Sequence, residues 1–226
     1  MRIHDGMIGR LLILTIAVSF FGVVSASAQL NDILTTMDKH KKSLQTLKAK
    51  VRFSEYEATL ADETERKGAV QYISKPGRDA WVRIDWASPD ESLIVANGKY
   101  VLWRKDKGEA VVGNVEESKS QKATSNSLKF MSMSKAELKA NYTTAYLGEA
   151  TVDGTTTWHL KLTPKNADEF REAELWVDGN GMPIQAMIVQ KNKDKATVRL
   201  SSLEKNVTID AKIFSPDLKG VKKIRG

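Results

Sequence analysis

The sequence contains no cysteine and few histidines. None of its 226 residues is Cys, and only 3 are His. Without thiols the chain can form no disulfide, no metal–thiolate site and no cysteine nucleophile. One of the histidines, His4, lies at the extreme N-terminus, which leaves little for histidine-based metal or acid–base chemistry. The sequence therefore excludes thiol chemistry and disfavours catalysis that depends on histidine.

Long hydrophobic runs are also absent, with one exception near the N-terminus. Two arginines precede an apolar run over residues 11–24, which is followed by the small residues Ala-Ser-Ala. This order is the pattern of a secretory signal peptide with cleavage after Ala28. The run is shorter than the roughly 20 apolar residues of a membrane-spanning helix. We therefore predict a cleaved signal peptide over residues 1–28 and one soluble domain over residues 29–226.

Positive charge is in excess and is spread along the chain. The sequence has 35 Lys and Arg against 28 Asp and Glu, a net charge of +7. An excess of positive charge is typical of proteins that bind nucleic acid, and also of surfaces that contact anionic membranes or acidic partners. Export argues against nucleic acid, and the basic residues are not interleaved with aromatic residues as in single-strand binding proteins. We therefore predict no nucleic-acid partner and a largely solvated basic exterior.

Two blocks of alternating apolar and polar residues predict antiparallel β-structure. The first block spans residues 47–112 and contains the hairpin signal Asn97-Gly98, and the second spans residues 142–207. An amphipathic helix over residues 30–47 precedes them. The fold class we predict is mainly β with short helices (α+β). Its core is a strongly curved antiparallel half-barrel sheet of about ten or eleven strands, covered by lid helices.

The remaining candidates for catalysis are weak. His40 lies among lysines in the predicted helix, and His159 alternates with the apolar residues of its strand, without a companion at metal-ligand spacing. Glu55 and Glu57 share a strand face and could divide acid and base roles, but an exposed strand face is the better explanation, since Lys50 and Arg52 lie nearby. No phosphate-binding glycine loop or nucleophile elbow occurs. We predict no enzymatic activity, no cofactor and no metal.

Large apolar side chains are the more informative feature. The chain has 5 Trp and 7 Met, and methionine repacks readily around varied ligands. Residues 127–138 carry apolar side chains on one helical face and lysines on the other, which predicts a mobile lid helix over the concave side of the sheet. The predicted hydrophobic cavity is lined by Leu44, Leu47, Phe53, Ile84, Trp86, Trp103, Leu128, Phe130, Met131, Met133, Leu175 and Met187.

Two segments of the chain resemble the LolA family of lipoprotein carriers. The first is KPGRDAWVRIDWASPDESLIVANGKYVLWR, with its basic residue before Pro, its second Pro followed by an acidic pair, its Gly-containing turn and its Trp-bearing strand. The second is the closing segment SSLEKNVTIDAKIFSPDLKGVKKI. The likeness extends over nearly the whole mature chain. The same half-barrel serves lipid and glycolipid carriers and periplasmic stress sensors of the RseB type.

The resemblance implies a function as well as a fold. It implies a soluble, monomeric periplasmic carrier that holds the acyl chains of lipoproteins in a hydrophobic cavity between the sheet and the lid. The cargo would come from an inner-membrane release complex of the LolCDE type and pass to an outer-membrane acceptor of the LolB type. Carriage of another lipid or glycolipid, and an RseB-like lipid-sensing or lipoprotein-sensing regulatory module, are the alternatives.

Lys75 is the main departure from the family pattern. The resemblance implies that this position, just before the first Pro, ties the lid to the sheet, and in the family it is an Arg. A Lys ammonium lacks the rigid fork of a guanidinium, so we expect Lys75 to tether the lid less firmly.

Overall fold

One large β-sheet makes up most of the protein. The computed structural model describes residues 26–75, 80–115, 133–166 and 170–226, so residues 1–25 of the predicted signal peptide lie outside it. The α-helices of the described residues are α1 (Ala26–Ser43) and α2 (Lys135–Asn141). The strands are β1 (Thr46–Glu57), β2 (Asp62–Ile73), β3 (Trp81–Trp86), β4 (Glu91–Ala96), β5 (Lys99–Arg104), β6 (Glu109–Asn114), β7 (Tyr142–Val152), β8 (Thr155–Pro164), β9 (Glu172–Asp178), β10 (Pro183–Val189), β11 (Lys195–Lys205) and β12 (Lys222–Arg225).

The strands form a single open, curved sheet of 12 strands in the order β12-β6-β5-β4-β3-β2-β1-β11-β10-β9-β8-β7. Two antiparallel meanders, β1–β6 and β7–β11, meet where β1 pairs with β11. The predicted fold class is thus confirmed. The expected strand number was too low because β12 is only 4 residues long and pairs with β6 in parallel. A short basic segment gives no periodic signal for such a long-range pairing.

One face of the sheet carries a continuous set of apolar side chains. Residues directly opposite each other on neighbouring strands lie on the same face, so the register identifies this set. We call this face the inner face and the opposite one the outer face. The inner face runs through Leu160, Leu175, Ala186, Val198, Phe53, Val51, Ala49, Val70, Ile84, Leu93 and Leu102, whose exposures range from 0% to 9%.

The buried residues form two clusters. The helix-covered cluster lies mainly on β8–β10 and includes Ile33, Leu34 and Met37 of α1 together with Leu138 of α2. The meander cluster lies mainly on β11 and β1–β5. Neither described helix combines the length and the apolar character of a membrane-spanning segment.

Helix α1 begins and ends about four residues earlier than the predicted range of 30–47. Strand β1 already begins at Thr46, where its backbone pairs with Ile73 of β2. Leu44 and Leu47, which continued the helical pattern in the sequence, therefore contribute to the meander cluster from outside the helix. Sheet pairing has overridden the local helical periodicity here.

Helix α2 begins at a capping box. The Ser134 hydroxyl accepts a hydrogen bond from the Glu137 backbone N–H at 3.2 Å, and the Glu137 carboxylate accepts one from the Ser134 N–H at 2.7 Å. Lys41 of α1 also donates to Glu137 at 3.0 Å. Met133 and Leu138 are buried in the helix-covered cluster. The described part of the predicted lid is therefore packed against α1, and its residues 127–132 lie outside the described part of the chain.

The C-terminal segment packs on the outer face of β3. Arg83 donates from Nη1 to the carbonyl oxygen of Ile213 at 2.8 Å, and its Nη2 bonds Asp85 at 2.8 Å. Ile213 and Phe214 belong to a short 3-10 turn, Ala211–Phe214. The Phe214 ring is buried, and its centroid lies 5.7 Å from that of Trp81. These contacts hold the chain end against the meander.

Removal of the Phe214 ring should destabilise the whole sheet. We expect Phe214→Ala to lower the free energy of unfolding by about 3 kcal/mol, because a buried aromatic ring leaves a cavity that relaxes only in part. Urea unfolding followed by circular dichroism measures the change. Leu60→Ala is the control, since Leu60 is 68% exposed and its truncation should cost less than about 0.5 kcal/mol. Equal stability of the two variants would contradict this packing.

Candidate functional site

Most of the described residues that the sequence assigned to a cavity lie on the inner face. They divide between the two clusters instead of forming one group. Three of the predicted residues, Leu128, Phe130 and Met131, lie outside the described residues, and their assignment stays a prediction. The meander cluster holds Leu47, Phe53, Ile84 and Trp86 with Leu44 packed against it, and the helix-covered cluster holds Met133 and Leu175.

Trp103 and Met187 lie on the outer face. Trp103 is opposite Ser92, and Met187 is opposite Glu174. Their chain neighbours, Leu102 and Ile188, are the residues that face inward. The sequence prediction selected both residues for their size, whereas strand alternation decides which face a side chain occupies. The cavity assignment is corrected at these two positions.

Lys75 contacts the outer-face residue Trp81. Its ammonium lies 3.7 Å from the centroid of the Trp81 ring, a cation–π contact. Trp81 also contacts Phe214, so Lys75 joins the packing of the C-terminal segment. The predicted tether between Lys75 and the lid stays a prediction, because most of the lid segment lies outside the described residues.

An aromatic pair and an arginine occupy one end of the inner face. The rings of Phe53 and Trp86 are tilted by 47°, with centroids 6.2 Å apart. Arg66 lies directly opposite Phe53, and its guanidinium carbon is 4.6 Å from the Trp86 ring. The sequence analysis did not single out Arg66. Its alternation with Gly68 and Val70 is the signal that would have placed it on the inner face.

Arg66, within β2, belongs to a small charged group that includes the first residue of β4 and the last residue of β5. Its Nη2 donates to Glu91 at 2.7 Å, and Arg104 approaches the same carboxylate at 3.5 Å. Glu91 and Arg104 are directly paired residues of β4 and β5. We call Arg66, Glu91 and Arg104 the charged rim. The Nε of Arg66 is buried and has no hydrogen-bond partner within the described part of the chain.

His40 lies near the C-terminal end of α1. Its Nε2 is buried and has no hydrogen-bond partner among the described residues. Burial lowers the pKa of His40, and the positive charge of Lys205 adds to this effect, while Asp178 opposes it. Lys205 approaches Asp178 at 3.7 Å. The imidazole is therefore neutral near neutral pH and is a packed element of the structure.

The family assignment follows from the sequence match. The model of the family described as "Outer membrane lipoprotein carrier protein LolA" matches residues 32–217. The chain belongs to the LolA family. The resemblance noted in the sequence is thereby confirmed. The first of the two segments that carry it contains β3, β4 and β5, which supply Trp86, Glu91 and Arg104 to the inner face and its rim.

Two solved structures share the fold at low sequence identity, and a third shows a weaker similarity. An uncharacterized conserved protein from Thermus thermophilus is 11% identical with a TM-score of 0.56, over 88% of this chain and 99% of that one. MucB is 12% identical with a TM-score of 0.55, over 83% of this chain and 62% of MucB. A LolA superfamily protein from Nitrosomonas europaea is 14% identical with a TM-score of 0.40, over 83% of this chain and 97% of that one. No curated protein matches the chain.

Acid should weaken the contact between α2 and α1. Hydrogen bonds from the Ser134 side chain and backbone, with a further one from Lys41, lower the pKa of Glu137 from 4.5 to about 2. Because the folded-state pKa is the lower one, the stabilisation is fully present above pH 4.5 and is lost as the pH falls towards 2. The Glu137 side chain is 53% exposed, so we expect an effect below about 1 kcal/mol.

Thermal unfolding of Glu137→Gln measures this dependence. The variant should melt below the wild type at neutral pH, and the difference should shrink below pH 4.5 and vanish near pH 2. Glu57→Gln removes an exposed carboxylate far from α2 and serves as the control. A Glu137→Gln deficit that does not change with pH would show that ionised Glu137 does not stabilise α2.

Proposed function

We propose that the protein is a periplasmic carrier that binds the acyl chains of lipoproteins on the inner face of its sheet. The observation that carries the proposal is the unbroken apolar inner face, which crosses the sheet from β8 to β5. Membership of the LolA family, whose description names a lipoprotein carrier, supports it.

The distribution of the helices indicates where an acyl chain would bind. Three residues of α1 and one of α2 pack into the helix-covered cluster, on β8–β10. The apolar face continues beyond that cluster, across β11 and β1–β5, where Phe53, Ile84 and Trp86 lie. We assign the acyl chain to this second half, because it offers apolar and aromatic side chains beyond the strands that the described helices cover.

The energetics of apolar transfer suit a carrier. Each methylene removed from water contributes about 0.8 kcal/mol, so one chain of a dozen methylenes gains about 10 kcal/mol from an apolar site. The same chain gains a similar amount from a membrane, so transfer between the two needs little net free energy. No covalent step, nucleotide or cofactor is required of the carrier itself. Direction comes from the donor that loads it and the acceptor that unloads it.

The proposal also covers the domain organisation, the cellular compartment and the partners of the protein. We assign residues 1–28 to a signal peptide and residues 29–226 to one domain, which functions as a soluble monomer in the periplasm. The cargo would come from an inner-membrane release complex of the LolCDE type and pass to an outer-membrane acceptor of the LolB type. The single sheet that joins both halves of the described chain supports the one-domain assignment.

Tryptophan emission can locate the bound chain on one face of the sheet. Trp86 lies on the inner face and Trp103 on the outer face, and bromine quenches tryptophan emission only at short range. A variant that keeps Trp86 alone, with the other tryptophans changed to Phe, should be quenched by a brominated fatty acid several-fold more than one that keeps Trp103 alone. Steady-state fluorescence titration measures both.

The unbrominated fatty acid is the control for conformational changes in emission. Ile84→Asp provides a second test, because it puts an unpaired carboxylate on a fully buried apolar position and should weaken binding strongly. Equal quenching of the two single-tryptophan variants would show that the chain does not bind on the inner face.

A further inference from the structure

The charged rim lies where an acyl chain on the inner face would end. We propose that Arg66 and Arg104 bind the anionic headgroup, a carboxylate or a phosphate, of the lipid whose acyl chain lies beside Phe53 and Trp86. This inference rests on the acyl-chain binding of the proposed function and extends the cargo beyond lipoproteins, whose diacylglyceryl group is uncharged, to lipids with an anionic headgroup. A lipid with an anionic headgroup would be preferred over an uncharged lipid with the same chain.

The position of Arg66 joins the apolar and charged parts of the site. Arg66 lies directly opposite Phe53 on the inner face, and its guanidinium covers the Trp86 ring at 4.6 Å. Trp86 is the last residue of β3, Glu91 the first of β4 and Arg104 the last of β5. Glu91 and Arg104 therefore stand at strand ends, and Arg66 reaches Glu91 from within β2, beside the apolar interior of the sheet. An amphiphile has the same order of groups along its length.

The rim carries more positive than negative charge. Its two guanidinium groups share the single carboxylate of Glu91, at 2.7 Å from Arg66 and 3.5 Å from Arg104. The next carboxylate, Glu109, lies opposite Arg104, but Lys222 pairs with it at 3.0 Å. Asp90 is likewise paired with Lys105 at 2.7 Å. Among the described residues of these pairs there are four cations and three carboxylates, and this excess of one positive charge favours an anion as a further partner.

The hydrogen bonds of Arg66 support the same conclusion. A guanidinium has five N–H donors in a rigid fork that suits carboxylate and phosphate oxygens. Its Nη2 is bound to Glu91, while its Nε is buried without a partner in the described part of the chain. A buried donor without a partner is costly and uncommon. An apolar residue at this position would avoid that cost, so the arginine is better explained by ligand binding than by stability.

Two probes with one acyl chain test the proposal. Parinaric acid carries an ionised carboxylate, and its methyl ester is uncharged but otherwise has the same chain. Both are titrated into delipidated protein, and Kd is measured from probe fluorescence. Arg66→Gln and Arg104→Gln should each raise the Kd for the acid about tenfold, which is the scale of lost hydrogen bonds to a charged group. The Kd for the ester should change by less than about twofold, since its acyl chain keeps its contacts.

Two further variants control for loss of structure. Arg52→Gln removes an arginine from the neighbouring strand, where Arg52 faces outward and pairs with Glu65 at 3.5 Å, and it should bind both probes like the wild type. Glu91→Gln removes the competing carboxylate and should bind the acid about threefold more tightly, the direction expected when the excess positive charge rises. A merely unfolded or loosened rim would not strengthen binding.

The outcomes separate this inference from the proposed function. Weaker binding of the acid alone in both arginine variants, with the opposite change in Glu91→Gln, supports the headgroup site. The headgroup site would be overturned if the wild-type protein bound acid and ester equally. It would also be overturned if the arginine variants bound both probes more weakly to the same extent. Neither result would contradict the acyl-chain carrier. Wild-type protein that binds neither probe would overturn both.

A competition experiment distinguishes a lipid headgroup from a free anion. Millimolar inorganic phosphate is added to the complex of protein and parinaric acid. The displacement of the acid is compared with that caused by chloride at equal ionic strength, because salt alone screens the charges. We expect no displacement by phosphate beyond that caused by chloride. Displacement specific to phosphate would mean that the rim takes a free anion, and it would overturn the assignment to a lipid headgroup.

Discussion

The pairing of β1 with β11 is the interaction on which the rest of the structure depends. It joins two meanders that are far apart in sequence, and it places Phe53 opposite Val198 and Val51 opposite Leu200. These contacts make the apolar faces of the two halves continuous. Because side chains alternate along a strand, a slip of one residue would turn the apolar set of one half outward. The meander cluster, which contains buried residues of both β1 and β11, depends directly on this register.

The inner face and the charged rim provide different kinds of recognition. Apolar contacts are non-directional and depend mainly on the area removed from water, so an inner face of this kind can hold chains of varied length. Charged groups with fixed geometry select a partner and orient it. With the rim at the strand ends, a bound amphiphile has one favoured direction in the site. A carrier with this arrangement would tolerate variation in the chain and discriminate between headgroups.

Much of the fold could be predicted from the sequence because it depends on local sequence patterns. Alternation predicted that Ile84 and Trp86 share a face, and Asn97-Gly98 marked a hairpin turn in which both residues have positive φ. The sequence could not show the parallel pairing of β12, which depends on distant residues. Trp103 and Met187 were assigned by size, against their strand parity. Arg66 was passed over because its charge suggested a solvent-facing side chain, although its alternation with Gly68 and Val70 places it on the inner face.

Native mass spectrometry of the protein purified from the periplasm tests the central claim most directly. The account predicts that the protein carries an acylated species, either a lipoprotein or a lipid with an anionic headgroup, held without covalent attachment and released by organic solvent. Ile84→Asp, which places a charge in the middle of the inner face, should be purified without that species. Wild-type protein that consistently lacks any acylated species, while it is folded and exported, would contradict the account.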